Sequence, residues 1–350
     1  MNSTRAVPLS VLDLVPVSSG STPAQAVRNT LDLARHAERL GYTRYWIAEH
    51  HGMPGIASSA TSILIGQVGA VTETIRVGSG GIMLPNHAPL VVAEQFGTLG
   101  ALFPGRVDLG IGRAPGTDAA TARALRRSSG PLSADDFPAQ LAELVAFLGS
   151  SFPDDHPLQT VTAVPHSEMP PVWLLGSSGY SAQLAGFLGL PFAFAHHFSS
   201  VNTLPALELY RSAFRPSPSR DRPYAMVAAA VVCADTDEAA QWLAGPIRLS
   251  MLRLRQGLPG VFPTPEEADA HPWTPAERAA ADNATSSHVV GSPDTVRAGL
   301  DALIDATDAD EIMITTNVHP HADRLRSLEM IARFAGLTGP QESVRTVPVG

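Results

Sequence analysis

The sequence predicts an α/β fold, a (β/α)₈ TIM barrel that takes residues 1–350 as one domain, on three observations. Eight short apolar, β-rich runs recur along the chain, helix-patterned stretches separate them, and two longer stretches interrupt the alternation after the fourth and seventh runs. A doubly wound open sheet would carry equally apolar strands, so the count of eight is what favours closure.

The runs are residues 9–15, 44–48, 75–78, 107–111, 172–175, 192–195, 225–233 and 311–315. The first helix begins near Pro23, keeps apolar and Ala positions at helical spacing through Leu40 and stops at Gly41, where the second run starts at once. The third run passes through a Gly-rich turn into a helix near Pro89, and the fifth opens directly into an apolar helix over 182–188. Residues 128–164 and 245–290, rich in Pro, Ala and Asp, read as insertions; after barrel strands, such segments carry substrate contacts.

With 44% apolar and 16% charged residues the chain can bury a large core. Its net charge of -9 shows no basic stripe, which argues against nucleic acid or an anionic membrane and for a small-molecule partner. All 24 basic residues are Arg, excluding Schiff-base, PLP-binding and P-loop lysines. Cys233, the single cysteine, reads as a core thiol, and no apolar run reaches membrane-spanning length, so a cytoplasmic location is expected.

The ends of the runs hold the chemistry. The second ends Ala48-Glu49-His50-His51-Gly52, a carboxylate and two imidazoles at a barrel's active face or, equally, a solvated polar strand end. The third continues into Ser79-Gly80-Gly81, where a flat ligand can approach the backbone, although a plain turn explains it too. The fourth ends Gly110-Ile111-Gly112-Arg113, whose guanidinium suits a phosphate or a surface ion pair. Gly176, Ser177, Ser178, Gly179 and Ser181 after the fifth run place free N–H groups and hydroxyls at a helix N-terminus, a phosphate seat or an ordinary Ser cap. His196 and His197, with His319 and His321, close the sixth and eighth runs and raise a metal-dependent barrel hydrolase as the rival; the first run, with Asp13 but no His pair, argues against it, and no metal ligand is assigned.

Residues 41–51, 75–96, 102–118, 171–198 and 288–328 together resemble the luciferase-like flavin monooxygenases, most specifically in the phrases over 82–96 and 102–118. The resemblance implies reduced FMN (FMNH2) and O2 reacting through a flavin C4a-peroxide to oxygenate a small organic substrate. It matches His50 to the family's catalytic histidine, with Glu49 and His51 as its neighbours, and Gly80-Gly81 to a non-prolyl cis peptide beneath the flavin ring. Arg113, Ser177, Ser178, Gly179 and Ser181 match the FMN phosphate site, with Ser79, Gly112 and Gly176 beside the cofactor. Gly112 stands where light emitters carry a reactive cysteine, so no luminescence is expected. A separate NAD(P)H:flavin reductase is implied because no dinucleotide fingerprint occurs in the chain, and a homodimer is implied by the family alone. A deazaflavin-dependent hydride-transfer enzyme is the alternative on the same fold. The Lys-free, Ala- and Arg-rich composition suggests tailoring of a secondary metabolite such as a polyketide.

Overall fold

The computed structural model describes residues 6–114, 116–125, 136–149 and 152–340. Eight parallel strands close into a barrel: β1 (Leu9–Asp13), β2 (Arg44–Ile47), β3 (Arg76–Ser79), β5 (Val107–Gly112), β6 (Val172–Gly176), β7 (Phe192–Phe194), β8 (Ala225–Cys233) and β10 (Glu311–Thr315). Closure comes from β10 pairing with both β8 and β1. Two short strands lie outside this ring: β4 (Ile82–Met83) extends the edge of β5, and β9 (Val289–Gly291) pairs with the end of β8.

The strand period of two divides each strand between two cores. Leu12, Trp46, Trp173, Met226, Ala228 and Met313 point inward and fill the barrel, with Trp46 and Trp173 edge to face at 5.2 Å. The alternate residues, such as Val11, Tyr45, Leu109 and Ile312, pack outward against the helices. Every residue of β8 is buried, which is why it reads as a continuous apolar run.

At the amino end of the barrel the inward positions are charged. Arg44 bonds Asp108 at 2.6 Å and Glu311 at 3.0 Å, Arg76 bonds Asp108 at 2.6 Å, Tyr224 donates to Glu311 at 2.9 Å, and Ser10 donates to Glu311 as well. Burial opposes the charge on Arg44, but the two carboxylates outweigh it and raise its pKa further.

The helices follow their sequence signals. In α1 (Pro23–Leu40) Thr22 caps the start and Gly41, at φ 89°, ends it; a Cβ there would lie 2.5 Å from the carbonyl oxygen of Thr338. Between them, α2 (Thr61–Val71) and α3 (Pro89–Leu102) follow β2 and the β3–β4 segment. The predicted insertions have different edges. Part of 128–164 lies outside the described residues, but it includes α5 (Phe137–Leu148), preceded by the short α4 (Ala119–Leu125). α5 buries Phe137, Leu141 and Leu144 and packs on α3 as an ordinary barrel helix.

After α6 (Gly179–Leu188) and α7 (Thr203–Ala213), the second predicted boundary falls inside α8 (Asp237–Arg255). The helix runs through Gly245 and a buried Pro246. α9 (Pro265–Asp269), α10 (Pro275–Ala284) and β9 complete the insertion, and α11 (Pro293–Thr307) and α12 (His321–Ala335) flank β10. Among the described residues no helix is long and apolar enough to cross a membrane.

Candidate active site

The alternation in β2 that buries Trp46 inside the barrel delivers Glu49, His50 and His51 just past its carboxyl end. Glu49 is fully buried and accepts from His51 Nε2 at 2.8 Å, His87 Nε2 at 2.9 Å, the Met83 N–H at 3.0 Å and Asn86 Nδ2 at 3.3 Å. Burial works against its charge, but the bonds from His87, His51 and Met83 outweigh it and hold the carboxyl below the usual carboxylate range. The Thr117 hydroxyl donates to the His51 carbonyl at 2.7 Å, so one knot joins the loops after β2, β4 and β5.

His50 differs from its neighbours: its Nδ1 is buried with no partner among the described residues. Burial lowers its pKa, His51 and His197 add to that shift, and Glu49 opposes it. Around the same barrel mouth, Thr315 Oγ1, Thr316 Oγ1, Asn317 Oδ1 and His288 Nε2 are also buried without partners among the described residues. Orphaned polar atoms are rare in protein interiors, so their gathering here fits a polar ligand. Burial also pushes His288 down to about 4, and a cavity of about 100 Å³ opens beside it, lined by Gln241, Arg248 and Thr285.

The floor of the site is backbone. The Gly80-Gly81 peptide is cis, as the family resemblance implies. A Cβ on Gly81 would lie 2.6 Å from the Gly110 carbonyl oxygen, so glycine there lets the segment lie flat on the barrel, while a Cβ on Gly80 would be crowded mainly by the movable Cδ1 of Leu12, at 2.5 Å. The Ser79 side chain is engaged elsewhere: it donates to the Gly110 carbonyl at 2.8 Å and accepts its N–H at 3.0 Å, stitching β3 to β5. Gly112 lies under Met83, whose Sδ would be 2.6 Å from an added Cβ.

Opposite, Arg113 places its guanidinium 4.1 Å from the ring centroid of Tyr180, in the first turn of α6. Ser178 takes the N-cap position there without a side-chain capping bond, which leaves the first-turn N–H groups open to an anion. Arg113, Ser177, Ser178 and Gly179 are thereby brought together. Ser181 is buried, and Gly176 packs directly on it, with an added Cβ only 2.8 Å from that of Ser181.

Of the remaining histidines, His197 lies near both His50 and His288, but among the described residues none of them joins a convergent set of three ligand atoms. His196 bonds Thr203, His197 bonds the Ala228 carbonyl, His319 bonds the Ser19 carbonyl and His321 bonds Asp32. The part of His87 in the knot was not visible from sequence, because Glu49 lies 38 positions away.

The profile of the luciferase-like monooxygenases matches residues 7–310. The chain is 49% identical over 328 residues to a luciferase-like monooxygenase of Escherichia coli (strain K12), covering 93% of this chain and 96% of that one. The structure of apo-MsnO8 matches with TM-score 0.87 at 40% identity, over 95% of this chain and 100% of that one. In fold alone, it also resembles the oxygenating constituent of 3,6-diketocamphane monooxygenase from Pseudomonas putida, solved with FMN, at TM-score 0.68 and 22% identity over 94% of this chain and 97% of that one. On the strength of the profile match and the near full-length identity, this chain belongs to the luciferase-like monooxygenase family.

Proposed function

We propose that the protein is an FMN-dependent monooxygenase acting on paired donors, FMNH2 and a small organic substrate, with incorporation of molecular oxygen. The observation that carries this reading is the pairing of Arg113 with the uncapped start of α6, across the barrel mouth from the partnerless Nδ1 of His50. Arg113, Ser177, Ser178 and Gly179 would hold the phosphate, and the flat Gly80-Gly81 segment with Gly112 would face the ring. Bound reduced FMN would supply the electrons that activate O2 for transfer of one oxygen atom to the substrate and release of the other as water.

The chain's own residues then position and protonate. His50 Nδ1, without a partner among the described residues, takes or returns a proton, while Glu49, held by His51 and His87, fixes the loop that carries His50. The substrate would enter beside His288, with the α8–α10 insertion as the wall that keeps the pocket dry. Aldehydes, ketones and polyketide-like secondary metabolites are the substrates to screen first. FMNH2 would come from a separate NAD(P)H:flavin reductase in the cytoplasm. Exposed Ile63, Val91 and Leu102 on α2 and α3 support a homodimer.

The test is anaerobic titration with FMNH2 followed by mixing with oxygenated buffer. A transient absorbance distinct from both reduced and oxidised flavin supports the reading. Binding without it favours a deazaflavin hydride-transfer role, which direct titration with the deazaflavin would reveal. His50→Ala should slow substrate turnover about 10²–10⁴-fold while flavin binding stays within twofold.

A further inference from the structure

We infer that Glu49, His51 and His87 form a binding site for a divalent first-row transition-metal ion of the zinc type, distinct from the flavin chemistry proposed above. Among the described residues they are the one group of three His, Cys or carboxylate side chains whose ligand atoms converge, all within 4.8 Å of one another. Two of the three edges are closer still: Glu49 Oε1 lies 2.8 Å from His51 Nε2 and 2.9 Å from His87 Nε2. Ligand atoms about 2.1 Å from a tetrahedral ion stand about 3.4 Å apart, so to share one ion the two imidazoles turn away from their hydrogen bonds to Oε1 and these edges open by about half an ångström.

The surroundings are those of a ligand set. The carboxylate is fixed before any ion arrives, because Met83 N–H holds Oε2 at 3.0 Å and Asn86 Nδ2 holds Oε1 at 3.3 Å. The Glu49 side chain is 1% exposed while those of His51 and His87 are 13% and 26% exposed. An ion therefore approaches from the imidazole side and keeps solvent in its remaining positions. Two imidazoles and one carboxylate suit zinc, cobalt or nickel; calcium and magnesium require an all-oxygen shell. On binding, each imidazole coordinates through Nε2 as its Nδ1–H tautomer, the proton leaving Nε2 and Nδ1 being protonated from solvent, with one proton released to solvent from any ring that starts as imidazolium; the loops after β2 and β4 become cross-linked through metal bonds instead of hydrogen bonds.

The experiment uses the intact protein without flavin, so its outcome is independent of the monooxygenase reading. Equilibrium dialysis against Zn²⁺ should give one equivalent per chain, and titration with Co²⁺ should give ligand-field bands in the visible. His87→Gln keeps a hydrogen-bond donor to Glu49, and hence the fold, but removes the ligand; it should weaken both metals at least ~100-fold, beyond the loss of a supporting group. His51→Gln should do the same, and His319→Gln should change nothing. Absence of stoichiometric binding, or unaltered affinity in His87→Gln, overturns the site.

Discussion

At the amino end of the barrel Arg44 is shared between Asp108 and Glu311, with Arg76, Tyr224 and Ser10 bonded to the same carboxylates. At the carboxyl end, His50 Nδ1, Thr315 Oγ1, Thr316 Oγ1 and Asn317 Oδ1 are equally buried and have no protein partner among the described residues. Both ends put polar groups inside a closed ring of apolar strands; at the amino end the charged groups satisfy one another, although Trp173 Nε1 beside Arg44 stays without a partner, whereas at the carboxyl end these four groups stay open next to a satisfied Glu49. Removing a partner from a satisfied buried network strands a charge, whereas an unsatisfied group has nothing left to lose and something to gain from a ligand. The two ends should therefore answer mutation in opposite currencies, stability at one and binding at the other.

The sharpest way to break this contrast is Arg44→Met. It leaves Asp108 and Glu311 short of their shared cation and should cost about 3–5 kcal/mol in denaturant unfolding, while any folded fraction binds FMN as the parent does. Arg113→Ala should do the reverse, weakening FMN binding about 10–100-fold and leaving the unfolding midpoint within the error of measurement. A matching loss of stability in that variant would place Arg113 with the structural network.

Asp13 separates position from partnering, since it ends β1 at the carboxyl side yet is fully partnered by Arg324 at 2.7 Å, Thr30 at 2.7 Å and Tyr45. Burial raises its pKa, but Arg324 and the two hydroxyls outweigh it, and the net shift is downward from 3.8. Because the folded pKa lies below the unfolded one, its contribution is complete above 3.8 and lost as pH falls through the folded value. Acid titration of unfolding should show a steeper loss of stability below that pH in the parent than in Asp13→Asn. The smallest effect belongs to Thr316→Val, which should change stability by no more than about 0.5 kcal/mol because its hydroxyl has no protein bond to lose.

Much of this was legible in the sequence, for physical reasons. The eight strands announce themselves because parallel strands buried on both faces read as apolar runs, and strand ends deliver Glu49, His50, His51 and Arg113 to one face whatever the loops do. The Gly80-Gly81 floor was legible because close backbone approach leaves glycine as its trace. The amino-end network was not read, since Arg44 and Glu311 are 267 positions apart and meet only through closure; the trace was there in Arg44, Asp108 and Glu311, charges at the inward parity of apolar strands. The knot at His87 was hidden in the same way. The two insertions were read as partly helical from their pattern, and their helices are there, but their edges follow packing that composition does not show: α5 lies on α3 and α8 continues through Pro246.

The most direct test of the central claim is a crystal structure of the protein soaked with FMN. The phosphate should lie at the start of α6 beside Arg113, with the ring over Gly80-Gly81 facing His50. Flavin density in the larger cavity of about 500 Å³ between α8, α9 and α12, lined by Trp242, His319 and Arg326, would contradict it and move the functional end of the molecule to its side.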